Sequence, residues 1–95
     1  MGFTTIQSTQ LAADGSVVGG SARVKSIYVA HSATAGTVLL RDGGSTGTLR
    51  CTINTAAVLG EYQTIIPEPG IHCKSSSGPY IAITGGVSFV TVFYD

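Results

Sequence analysis

The chain has 95 residues, of which 11% are charged and 43% hydrophobic, with thirteen glycines, five basic and five acidic residues and no net charge. This length supports one domain with one core, and a chain so rich in apolar residues and poor in charge is not disordered. The basic residues Arg23, Lys25, Arg41, Arg50 and Lys74 are scattered, so no basic face for a nucleic-acid backbone is expected, and no apolar run approaches the roughly 20 residues of a membrane helix.

The N-terminal stretch MGFTTIQSTQ lacks a basic segment followed by an apolar one, and Ile6 stands where a myristoylation signal needs Ser or Thr. A soluble protein made in the cytoplasm is expected. Gly2–Leu11, with Thr and Ile in no clean period, reads as an edge strand or extended arm, and residues 1–20 as a whole are expected to be such an arm or edge strand. Asp14-Gly15 and Gly19-Gly20-Ser21 are breaks. Val24–Ala30 and Thr37–Arg41 are β-prone runs joined by the small residues His31-Ser32-Ala33-Thr34-Ala35-Gly36, which predicts a hairpin-like pair of strands.

Asp42-Gly43-Gly44-Ser45 then turns the chain into Thr48–Asn54, the cleanest alternation present. There Leu49, Cys51 and Ile53 point one way, and Thr48, Arg50, Thr52 and Asn54 the other. Thr55–Leu59 is the single stretch able to pass for a helical turn, too short to stand alone. Glu61–Ile66 reads as a strand ended by Pro67-Glu68-Pro69-Gly70, where Pro69 suits the first central position of a type II turn and Gly70 the second. Ile71–Ser75 is a short strand. Tyr80–Thr84 and Val87–Tyr94 flank Gly85-Gly86, a two-residue hairpin signal. Short strands at this spacing predict an all-β single domain over residues 1–95, an antiparallel β-sandwich of jelly-roll type.

Few residues carry chemistry. Cys51 and Cys73 fall in phase with Leu49, Ile53 and Ile71, which predicts two buried free thiols rather than a disulfide. His72 and Cys73 are adjacent, so on a strand they point to opposite faces and do not share a metal. With two histidines, no closely spaced acid pair and no Gly-x-Ser-x-Gly elbow, no catalytic, cofactor or metal site is expected. The Asp42-Gly43-Gly44 stretch lacks the lysine and helix of a phosphate loop. Tyr28, Tyr62 and Tyr80 are candidates for a sugar-stacking platform, although sandwich tyrosines more often border the core or an interface.

Apolar residues fall on both faces of the closing strand: Val87, Phe89 and Phe93 on one, Val90, Val92 and Tyr94 on the other. Ile27 and Val29 share alternation with Arg23, Lys25 and His31. Such two-sided strands need a second cover. With the absent net charge, this predicts a homo-oligomer whose candidate interface is Ile27, Val29, Val90, Val92 and Tyr94.

The pieces ARVKSIYV, AGTVLLRDGGSTGT and GIHCKSSSGPYIAITGGVSFVTVFYD resemble short structural proteins of tailed phages of marine bacteria, cyanophages especially, over most of the chain beyond Gly20. The resemblance implies a virion component, a capsid decoration or cement protein or a tail part, assembled in the host cytoplasm. It implies the major capsid protein or other virion proteins as partners, neither nucleic acid nor membrane among them, and three copies matching three-fold sites of a shell. It brings no catalytic or binding residues. The alternatives are a glycan- or host-surface-binding module of a phage tail and, last, a small hydrolase.

Overall fold

The computed structural model describes residues 6–95, with all their side chains except that of residue 62. The start of the expected Gly2–Leu11 arm lies outside the described residues. The chain is all-β: β1 (Gln7–Leu11), β2 (Gly15–Ser16), β3 (Ala22–Asp42), β4 (Thr48–Thr55), β5 (Gly60–Ile65), β6 (Ile71–Cys73) and β7 (Pro79–Tyr94), with no helix among the described residues. Thr55–Leu59 supplies the end of β4 and a loop, not a helical turn.

All seven strands join one antiparallel sheet. β3 and β7 run alongside each other at its centre. The far edge of β3 carries β6, β5 and β4 in turn. The far edge of β7 carries β1 and β2. A jelly roll of two separate sheets does not follow from this pairing, because two strands are long enough to serve both ends of the molecule.

Both expected hairpins are therefore corrected. Val24–Ala30 and Thr37–Arg41 lie on one strand, β3, of 21 residues, and Tyr80–Thr84 and Val87–Tyr94 lie on one strand, β7, of 16. Small residues and glycines mark bulges as well as turns, and here they mark a bulge. Between the pairs His31↔Val87 and Gly36↔Gly85, β3 places residues 32–35 while β7 places Gly86 alone. At this crossing the two backbones nearly touch. A Cβ on Gly86 would collide with the Thr34 carbonyl oxygen and lie 2.6 Å from Ser32 Oγ. On Gly36 it would collide with the Thr84 carbonyl oxygen and lie 2.8 Å from the Gly86 nitrogen.

The long pair folds over at this bulge. Straight, 21 residues would reach about 70 Å, yet the longest dimension of the molecule is 44 Å. The two ends of β3 meet on either side of one short segment. Ala22 pairs with Cys73, while the Asp42 carboxylate accepts hydrogen bonds from the Lys74 and Ser75 amides at 3.1 and 3.0 Å. The fold encloses one core drawn from both halves, with Val24, Ile27, Val29, Val38, Leu40, Ile81, Val90 and Val92 sealed from solvent. Burial of side chains of this size stabilises by about 1.5–3 kcal/mol each.

Smaller irregularities reset which face a residue takes. The register of β3 against β7 shifts between Val24 and Ser26, so Arg23 stays exposed while Ile27 and Val29 enter the core. The shift between Leu40 and Arg41 leaves Leu49 opposite Arg41 instead of on the Cys51 side, and Leu49 is 47% exposed. The Pro67–Gly70 turn closes through the Gly70 amide donating to the Pro67 carbonyl at 2.8 Å. Gly70 has positive φ as expected, but the Glu68–Pro69 bond is cis, which makes Pro69 the second central residue of the turn and not the first.

Candidate functional site

The expected interface residues do not form a surface. Ile27, Val29, Val90 and Val92 have no exposure and Tyr94 is buried, so each spends its apolar area within its own chain. Register explains why. Val24 and Tyr94 are opposite one another, as are Ile27 and Val92, and Val29 and Val90, and paired residues share a face. That face is the inside of the folded sheet. The cover that a two-sided strand requires comes from the other half of the same sheet.

The tyrosine platform does not assemble either. Tyr28 lies on the half of β3 paired with β5, whereas Tyr80 lies opposite Arg41 on the other half. The Tyr62 side chain lies outside the described residues. Tyr28 instead has a phenylalanine for company. Its ring and that of Phe89 are 6.5 Å apart between centroids and tilted by 38°. Both are half-buried, as are Thr91 and Phe93 on the same outward face.

β5 brings polar groups beside these rings. Gln63 is opposite Tyr28 and Glu61 is opposite Ala30, both exposed. The Glu61 carboxylate beside the Tyr28 hydroxyl holds this phenol above its ordinary value, with desolvation adding to the rise. Gln63 Nε2 donates to Ser26 Oγ at 3.0 Å. Sequence reasoning missed this arrangement because alternation shows which side chains share a face of one strand but not which strand lies next to it.

A second surface lies at the bend. Residues 32–35 of β3 are flanked by the β4–β5 loop, because Thr55 is opposite Gly36 and Gly60 is opposite His31. The Gly36 amide donates to Thr55 Oγ1 at 2.7 Å, tying the two together. Val58 is 66% and Leu59 77% exposed. Ala33, Thr34, Ala35, Ala56 and Ala57 are exposed beside them, and neither segment carries a charge. The signal was present in the sequence as an apolar run between two strands, but a helical turn was the competing reading.

Among the described residues no concave pocket forms and no three of His, Cys, Asp and Glu come together. His72 is exposed and Cys73 buried, on opposite faces as strand geometry requires. The stretch Asp42-Gly43-Gly44 is a turn, with the Gly47 amide donating to the Gly44 carbonyl at 3.0 Å.

Both cysteines are free thiols, Cys73 buried and Cys51 half-buried. Burial, helped by the Asp42 carboxylate and opposed by Arg50, pushes the Cys73 thiol up to about 11 from its ordinary 9.0. Burial also raises Cys51. Because the thiolate is the reactive form, native protein at neutral pH should react slowly with a thiol reagent, Cys73 more slowly than Cys51, and denaturant should release both. A native Cys73 that reacts at the rate of the unfolded chain would contradict this burial. The sign of the stability effect follows from the raised value. Below pH 9 both folded and unfolded chains hold the Cys73 proton and its contribution is complete. Between 9 and about 11 the unfolded chain gives up the proton first, so stability falls across this window.

Comparison with models of protein families, with curated proteins and with solved structures finds no match.

Proposed function

We propose that the chain is a non-enzymatic structural protein of a phage virion, a capsid decoration or cement protein that stabilises a shell through protein–protein contacts. The observation that carries this reading is the uncharged tip at the bend, where Val58 and Leu59 stand 66% and 77% exposed. Large apolar side chains held in water on a protein without net charge favour cover by another protein surface. Covering them contributes about 1.5–3 kcal/mol per side chain, and repetition over many copies multiplies a weak contact into a strong one. The virion setting rests on the resemblance of ARVKSIYV, AGTVLLRDGGSTGT and the closing segment to marine phage proteins. In this reading the protein is a homo-oligomer of three copies, its partners are the major capsid protein or other virion proteins, and it contacts neither nucleic acid nor membrane.

The reading is tested at the tip. Changing Val58→Ser and Leu59→Ser together should lower the mass measured by light scattering from a multiple of the subunit to one subunit. The same change should move folding stability by no more than about 0.5 kcal/mol, because both residues are exposed. A wild-type monomer at high micromolar concentration would remove the homo-oligomer. Virions that fail to label with antibody against this chain would remove the decoration role.

A further inference from the structure

We infer that the outward face of the β1–β7–β3–β5 half of the sheet binds a neutral saccharide, with Tyr28 and Phe89 as its stacking surface and Glu61, Gln63 and Thr91 as its hydrogen-bonding groups. The face is ordered in register. Phe93 is opposite Ser26, Thr91 opposite Tyr28, and Phe89 opposite Ala30 on β7 and β3. Ile65, Gln63 and Glu61 follow on β5, opposite Ser26, Tyr28 and Ala30, and Ile65 is 77% exposed, adding apolar surface beside the rings. Four strands across and three outward rows along give a patch about 14 Å on a side, the scale of a short oligosaccharide.

The chemistry of the patch selects among occupants. None of these outward residues is basic, and one, Glu61, is acidic, so a polyanion such as nucleic acid meets repulsion and finds no cation to neutralise it. A hydrocarbon or apolar protein surface would bury the Glu61 carboxylate, the Gln63 amide and the Thr91 hydroxyl without new partners, a desolvation that costs about 1–3 kcal/mol per neutral group and more for the charge. A neutral sugar meets both demands. Its C–H face covers the aromatic rings, while its hydroxyls bond the polar groups beside them. Glu61, diagonal to Tyr28 across the β3–β5 pair, is exposed and keeps its lone pairs to accept from sugar hydroxyls. Gln63 is held by its bond to Ser26 at 3.0 Å, leaving its carbonyl as an acceptor and its second N–H as a donor. An anchored Gln63 beside the paired rings of Tyr28 and Phe89 limits the side-chain freedom lost on binding.

The test is a titration of isotope-labelled protein with maltotriose, cellotriose and laminaritriose, each raised to about 10 mM, read from backbone amide shifts. At least one should give saturable shifts centred on residues 28, 61, 63, 89 and 91. Tyr28→Ala should weaken that binding about tenfold, which is about 1.4 kcal/mol, while Tyr28→Phe, which keeps the ring and removes only the hydroxyl, should weaken it less. Should Tyr28→Ala fail to fold, Glu61→Lys, at an exposed position, serves as the disabling variant. No saturable shift with any of the three, shifts centred elsewhere, or undiminished binding in the disabling variant would overturn the inference. So would dilution-dependent shifts at these residues without sugar, since the face would then join copies of the chain. The outcome is independent of the tip, because Val58→Ser and Leu59→Ser leave this face intact.

Discussion

Gly86→Ala should destabilise the domain by about 3 kcal/mol, a large share of the 5–15 kcal/mol that holds a typical domain together. One methyl group does this because it has nowhere to go. It would overlap the Thr34 carbonyl oxygen and crowd Ser32 Oγ at 2.6 Å, and the first of these is backbone, which cannot rotate away. Gly85→Asn separates the two interpretations of the Gly85-Gly86 pair. In a two-residue hairpin turn asparagine is a favoured residue at positive φ, so the change would cost little. In a through-going strand its Cβ would collide with the Ala35 carbonyl oxygen and lie 2.7 Å from Gly36 Cα, so a loss comparable to that of Gly86→Ala is expected. Gly19→Ala is the control. Nothing lies within 4 Å of its Cβ, and stability should stay level or rise by about 0.4–1 kcal/mol through a less flexible unfolded chain. Urea denaturation of the three variants decides the matter, and a stable Gly85→Asn protein would restore the hairpin.

Val92→Lys should leave no folded protein at room temperature. Val92 has no exposure, pairs with Ile27 on β3 and Thr9 on β1, and faces the other half of the sheet. A lysine there either buries an unpaired ammonium, at several kcal/mol, or forces the two halves apart. Ile27→Ala is the graded companion. It removes atoms without adding charge, and should cost about 2–5 kcal/mol while preserving the fold. A Val92→Lys protein with native circular dichroism and an undiminished melting temperature would show that this face is a surface after all. Strand alternation alone predicts just such a face, open to another subunit.

The outward pair Tyr28 and Phe89 shows how far alternation reaches. Both residues are visible in the sequence as members of β runs, and their opposition to Ile27 and Val90 follows from a period of two. Their meeting does not follow, since 61 positions separate them and only the β3–β7 register brings the rings within 6.5 Å. Leu49 shows the opposite failure. Its alternation is clean, but a single register shift beside Arg41 turns it outward, and nothing in the local pattern announces a bulge.

From the sequence alone, the β character of the chain, the approximate ends of β4, β5 and β6, the burial of Cys73 and the positive φ at Gly70 could all be read. Each depends on neighbours within a few residues: side-chain shape at Cβ, a period of two, or the freedom of a residue without Cβ. Whether a run of small residues reverses the chain or bends it was beyond that reach. Residues 32–35 and Gly85-Gly86 have the composition of turns, and what makes them a crossing is that they lie opposite one another, 50 to 54 positions apart, where two backbones press together. That one tertiary contact folds a 21-residue strand in half. It sends Ile27, Val29, Val90, Val92 and Tyr94 inward, and it leaves Val58 and Leu59 exposed at the tip and Tyr28 and Phe89 half-buried on the outer face.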